Sequence, residues 1–217
     1  MVFKTPPGVY APQDDTWLLA GALLRENIGA DTAVLDVGTG SGALALVAAG
    51  RGAAQVTAVD VSPLAVSATW LRARLKGLTV RVLQGDLLTP VADRRFDLIV
   101  TNPPYVPMAE RRLRRGRGVA WQAGTDGRAL LDRICRDAPP LLRPGGALLL
   151  VHSGLCGADR TVEQLTGAGL RAAVTDRRTI PFGPVLREQT PWLESHGLIA
   201  PGETEEELVV IRAERRT

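Results

Sequence analysis

The sequence predicts an α/β fold: a doubly wound, mainly parallel seven-stranded sheet with helices on both faces and an antiparallel closing strand. Three observations predict it. Short β-type runs alternate with helical stretches along most of the chain, the pattern that builds parallel sheets. A glycine-rich turn, "DVGTGSGA" (36–43), joins the first such run to its helix. Carboxylates, Asp36, Asp60 and Asp86, end the first three runs.

The elements follow in order. Residues 1–31 are too short for a domain and are expected to place a helix, "DDTWLLAGALLREN" (14–27), against or over the site. "TAVLDVG" (32–38) reads as the first strand and "SGALALVAAGRG" (41–52) as its helix. "QVTAVDV" (55–61) is the second strand. The next helix, 62–77, has Ser62 as N-cap, Pro63 at its first position and Gly77 at its end, each a recognised start or stop signal. "TVRVLQGD" (79–86) and "RFDLIVTN" (95–102) read as strands three and four. After a long polar loop comes a helix, 126–142, which its prolines end or bend, and then a fifth strand, 144–153. A helix at 159–169, a sixth strand at 170–180 and a closing strand at 206–214 complete the sheet. Between the last two lies 181–203, too long for a hairpin and expected to fold as an excursion. The whole chain, 1–217, reads as one domain.

Composition limits the function classes. With 45% apolar and 23% charged residues, the chain reads as globular rather than disordered. No apolar run approaches the ~20 residues a bilayer span needs, and the amino terminus lacks a signal-peptide pattern, so the expected compartment is the cytoplasm. Cys135 and Cys156 have neither disulfide-framework nor metal-ligand spacing and read as buried thiols. His152 and His196 read as structural, and Trp17, Trp70, Trp121 and Trp192 as core or interface residues. The net charge of +3 is local: removing the five arginines of "RRLRRGR" (111–117) leaves 21 basic residues against 23 acidic. Arg111, Arg112, Arg114, Arg115 and Arg117 are either a solvated loop or a grip on RNA or an acidic protein face. As a substrate grip, 108–119 would be disordered until the substrate binds.

Gly38, Gly40 and Gly42 allow a tight turn and close approach of a ligand. That loop alone fits a nicotinamide enzyme and a methyltransferase equally, with Asp60 as the ribose acid in either. Asp36 tips the balance. A carboxylate before the glycines would repel a pyrophosphate but suits the ammonium of a methionine moiety. Asp86 adds an acceptor for an adenine amine. Together the three acids match S-adenosylmethionine, and Val61 is placed with them in the candidate cofactor site.

The fourth strand delivers Asn102-Pro103-Pro104-Tyr105 to the same sheet edge. A planar amide or aromatic amine is a poor nucleophile because its nitrogen lone pair is delocalised. A site that accepts both N–H hydrogens leaves that lone pair facing a methyl donor. Asn102 Oδ1 and the Pro103 carbonyl can do this, Tyr105 can stack on the planar group, and the prolines contribute no competing N–H.

Taken together, the glycine loop, the acids at 60 and 86 and "NPPY" resemble the class I S-adenosylmethionine-dependent methyltransferases, which implies a Rossmann-like fold. Within them, "GVYAPQDDTWLL" (8–19), "NPPYVP" (102–107) and "AWQAGTDGRALLDR" (120–133) are similar to the short form of the HemK-type glutamine N5-methyltransferases. The resemblance implies methylation of the glutamine amide in the Gly-Gly-Gln motif of release factors, with S-adenosyl-L-homocysteine as product. It implies that Thr16, Asp36, Gly38, Asp60, Asp86, Leu87 and Asn102 line the cofactor site and that Asn102, Pro103 and Tyr105 orient the amide. Ala123 stands where the family pattern has the first of two glycines, and the 181–203 excursion is longer than that form leads one to expect. Other acceptors remain open: an exocyclic amine of RNA or DNA, or a small amide or amine. So does a silent binding subunit. Eukaryotic short forms pair with a small zinc-binding activator, and the sequence does not decide whether this chain needs one.

Overall fold

The computed structural model describes residues 5–109 and 123–217. Seven strands form one sheet, β1 (Ala33–Val37), β2 (Gln55–Asp60), β3 (Arg81–Gln84), β4 (Phe96–Thr101), β5 (Leu142–Ser153), β6 (Leu170–Pro181) and β7 (Glu205–Arg215), in the order β3-β2-β1-β4-β5-β7-β6. The pairs from β3 to β5 are parallel, and β7 is antiparallel to both β5 and β6. This is the predicted doubly wound sheet with its closing strand. The helices are α1 (Asp14–Leu23), α2 (Ala43–Gly50), α3 (Pro63–Leu75), α4 (Ala129–Asp137), α5 (Ala158–Gly167) and α6 (Pro184–Ser195).

Strand β1 is buried along its whole length, as a central parallel strand covered on both faces must be. Leu35, Ile99, Leu148, Leu149 and Leu150 are among the largest fully buried side chains of the core. Ser62 caps α3, accepting from the Ala65 N–H, with Pro63 at the first turn. Helix α4 is shorter than predicted: residues 126–128 form a turn before it, and Pro139 and Pro140 lie in a 3₁₀ turn after it. Strand β3 ends at Gln84, so Asp86 stands two residues beyond the strand rather than closing it. The fold there belongs to the Thr89–Val91 3₁₀ turn, whose Pro90 ring fills the space beside Gly85 so tightly that a Cβ on Gly85 would meet it at 2.2 Å.

The excursion is a folded unit. Phe182, Leu186, Leu193 and Ile199 form a small second core against Val106 and Leu155, placing α6 beside the segment that leaves β4. Trp192 stacks on His196 with ring centroids 4.7 Å apart. Trp17 and Trp70 are about half exposed rather than core residues. The Trp70 ring instead carries the Arg74 guanidinium 5.6 Å from its centroid. No helix among the described residues is long and apolar enough to cross a membrane.

Candidate active site

Register alone brings the candidate residues together. Asp36 pairs with Val100 of β4 and Ala58 of β2, so the carboxyl ends of β1, β2 and β4 form one edge. In an open α/β sheet that edge is where ligands bind.

The glycine loop leaves β1 with positive φ at Gly38, Gly40 and Gly42, a conformation other residues adopt only under strain. Helix α3 braces the loop: Thr69 donates to the Gly40 carbonyl and Arg72 to that of Ser41. A Cβ at Gly42 would meet Thr69 at 2.8 Å, whereas nothing lies within 4 Å of one at Gly38. Gly42 is therefore fixed by packing, and Gly38 faces open space.

Asp36 is 1% exposed and accepts from Thr39 Oγ1 at 2.6 Å and the Ala45 N–H at 3.0 Å. Its Oδ1 is buried without a partner among the described residues. Burial pushes this carboxyl up to about 7, against the pull of those two donors, and the charge of Asp60 adds to the rise. An orphaned, buried carboxylate oxygen is what a cationic group would complete. The donor set thus fits the ammonium end of S-adenosylmethionine. Asp60 accepts from the Gly40 N–H at 2.8 Å and the Ser62 N–H at 2.9 Å, tying the glycine loop to the end of β2. Val61 follows it, 38% exposed. Asp86 is exposed and paired with Arg133 of α4. Next to it, Leu87 has φ +48, the one positive φ outside glycine among the described residues. For a side chain of this size that is a strained conformation, held by the surrounding turn.

At the corner after β4, Asn102 Nδ2 donates to Thr16 Oγ1 at 3.2 Å. Thr16 in turn donates its own hydroxyl hydrogen to Asp15 Oδ1 at 3.1 Å. With that hydrogen committed, Thr16 can only accept from Asn102, which fixes the amide with Nδ2 toward α1 and leaves Oδ1 for another donor. Asp15, 4% exposed, is the hub: it also accepts from the Thr16 N–H and, through Oδ2, from the hydroxyls of Tyr10 at 2.7 Å and Tyr105 at 3.0 Å. Burial, with the charge of Asp15, raises both phenols well above their usual range, so both stay donors. Tyr105 is 8% exposed, with its hydroxyl held by Asp15.

Sequence reading missed Asp15, whose role depends on partners up to 90 residues away. It also missed Glu206 at the start of β7, 7% exposed, bonded to Ser153 and with Oε2 unpartnered. Burial, joined by the nearby charge of Asp15, holds its carboxyl above the usual range. Its signal in the sequence is a carboxylate inside a closing strand, indistinguishable there from its neighbours Glu205 and Glu207.

Both cysteines are free and buried, as expected. His152 is structural: Nδ1 donates to the Ser153 carbonyl, Nε2 accepts from Thr161, and burial lowers its pKa to about 4. Ala123, at the family's glycine position, is buried without a positive φ, so alanine fits there. Trp121 and Arg111, Arg112, Arg114, Arg115 and Arg117 lie outside the described residues, as does most of 108–119.

The methyltransferase small domain family model matches residues 1–177. A Methanocaldococcus jannaschii protein, provisionally named a protein N5-glutamine methyltransferase, is 32% identical over 184 residues, covering 84% of this chain and 91% of its own. The release factor glutamine methyltransferase of Bordetella pertussis is 42% identical over 178 residues, covering 78% of this chain, which spans only 65% of the Bordetella protein. Among solved structures, the E. cuniculi Mtq2–Trm112 complex, described as responsible for methylating the termination factor eRF1, matches with a TM-score of 0.67. That match is 22% identical and covers 95% of this chain and 98% of the other.

Proposed function

Because the chain belongs to the methyltransferase small domain family, we propose that this methyltransferase uses S-adenosylmethionine to methylate the side-chain amide nitrogen of a protein glutamine, in a translation release factor. The observation that carries the reading is the locked amide of Asn102. Thr16 takes its Nδ2, so Oδ1 is presented as an acceptor at the carboxyl edge of the sheet. The names of the relatives supply the glutamine.

S-adenosylmethionine, when bound, supplies an electrophilic methyl group on a cationic sulfur. Asp36 would receive the ammonium at Oδ1. Gly38 and Gly40 allow the backbone to come close. Asp60 retains acceptor capacity for the ribose hydroxyls beyond its two backbone bonds. Asp86, Val61 and Leu87 would hold the adenine, and Thr16 and Asn102 would complete the cofactor wall. Asn102 Oδ1 and the Pro103 carbonyl then accept the two N–H hydrogens of the acceptor amide. Prolines 103 and 104 hold those acceptors still, and Tyr105 walls the plane. Toward that methyl group, these residues would act by in-line positioning and electrostatic preorganisation rather than by acid–base chemistry.

The test is incubation with methyl-labelled S-adenosylmethionine and a release factor carrying Gly-Gly-Gln, beside its Gln→Ala variant. A lysate treated separately with protease or nuclease serves as the second acceptor. Label confined to the glutamine form and lost with protease is expected. Label lost only with nuclease would replace the reading with nucleobase methylation. Turnover by the chain alone would show that no activating subunit is needed.

A further inference from the structure

We infer that Cys156 is a positioning residue for the acceptor corner: its thiol, braced by Arg128 and packed against Gly127, pins the Tyr105 carbonyl. The inference rests on the proposal that this corner holds the methyl acceptor.

Two contacts converge on one backbone carbonyl, and a third braces the residue that makes the first. The Cys156 thiol donates to Tyr105 O at 2.9 Å. Gly127, at φ +73, approaches the same oxygen so closely that a Cβ there would lie 2.2 Å from it and 2.7 Å from Cys156 Sγ. Cys156 is itself held, because Arg128, 2% exposed, donates to its carbonyl. The same guanidinium also bonds the Gly157 carbonyl, Thr161 Oγ1, Gln164 Oε1 and Asp132 Oδ1. Nearby, the Met108 N–H donates to the Gly124 carbonyl, so the 123–128 turn runs alongside the outgoing corner. The tie thus links the start of α4, the turn after β5 and the exit of β4.

The thiol suits this task. Burial pushes it up to about 12, so it keeps its hydrogen across the working pH range and stays a donor. Such a thiol is a poor nucleophile, which leaves positioning as its chemistry. The two prolines make the tie matter at a distance. With φ fixed at 103 and 104, fewer free torsions separate Asn102 from the Tyr105 carbonyl, so a shift at one is passed more directly to the other. Tyr105 is held at both ends, its hydroxyl by Asp15 and its carbonyl by Cys156.

The experiment compares Cys156→Ala, Cys156→Ser and wild type by kcat at saturating cofactor and acceptor, cofactor Kd, Tm and crystal structure. A shift of ~1 Å at such a corner costs up to about 100-fold in rate. Cys156→Ala is expected to lose about tenfold in kcat with cofactor Kd unchanged, and Cys156→Ser, which keeps a donor, to recover most of it. Gly127→Ala, which drives a methyl group into the carbonyl, should lose more kcat with the same unchanged Kd. Equal losses in the Ala and Ser variants, tracking Tm, would overturn the inference in favour of simple core packing. So would an unmoved 102–105 corner with wild-type kcat. Should the wild-type enzyme label no glutamine, the functional proposal fails instead. The crystal structures still decide the tie, by whether residues 102–105 shift in Cys156→Ala and return in Cys156→Ser.

Discussion

Replacing Asp36 by asparagine tests the proposed ammonium site through two readouts that move in opposite directions. The buried carboxyl titrates near 7 rather than 3.8, and each tenfold change in proton affinity is worth about 1.4 kcal/mol. With its charge, Asp36 therefore leaves the cofactor-free protein ~4 kcal/mol less stable than with the carboxyl protonated. The substituted amide would still accept from Thr39 and Ala45 but would put an unpaired N–H₂ where Oδ1 now lies, at a cost of about 1–3 kcal/mol. The net gain at pH 8 is ~1–3 kcal/mol, a Tm rise of about 2–10 °C for a chain of this size. The sign with pH follows from the raised folded value. The folded state holds the extra proton between about pH 4 and 7, so wild-type stability falls as pH rises through that window and levels off above 7. Asp36→Asn loses that slope, and its advantage shrinks by pH 5. Cofactor affinity moves the other way. Losing one charge-assisted bond of about 1.5–3 kcal/mol weakens binding by about 10–100-fold. Differential scanning fluorimetry from pH 5 to 8 and titration calorimetry measure both. A variant no more stable than wild type at pH 8, or one that binds S-adenosylmethionine equally well, would refute the reasoning.

Asn102→Ala should lose about 2–4 kcal/mol of transition-state stabilisation, by analogy with removing one preorganised polar contact, while cofactor binding is largely kept; near-normal kcat would sink the proposed role. Thr16→Val removes the hydroxyl that orients the Asn102 amide and should cost about tenfold in kcat, the worth of one hydrogen bond, measured in the same assay. Gly42→Ala combines a φ of +83 with a 2.8 Å approach to Thr69 and should destabilise by about 1–3 kcal/mol, a Tm drop of about 2–10 °C; an unchanged melting curve would mean that α3 does not lock the loop.

Much of this protein is legible in short stretches of its chain. Hydrophobic runs, Ser62-Pro63 and the spaced glycines predict the strands, the α3 start and the loop, because each depends on neighbours within one turn. Acids that end β1 and β2 can be read the same way. Asp86 is the partial exception, since β3 ends at Gln84, two residues before it, a boundary that strand propensity does not set. The length of 181–203 predicts a folded excursion, but its contact with Val106, at the acceptor corner, comes from a second core assembled only in three dimensions.

Local sequence was enough for the sheet, the glycine loop and the Pro103-Pro104 corner proposed to present acceptors. Tertiary structure alone decided how that corner is held. Asp15 reaches Tyr105 across 90 positions, Thr16 reaches Asn102 across 86, and Cys156 reaches the Tyr105 carbonyl across 51. The physical reason is that a hydrogen bond's direction depends on where both partners lie in space. Asp15 looks like any helix-start acid, and Cys156 like any buried thiol, until the fold closes around Tyr105.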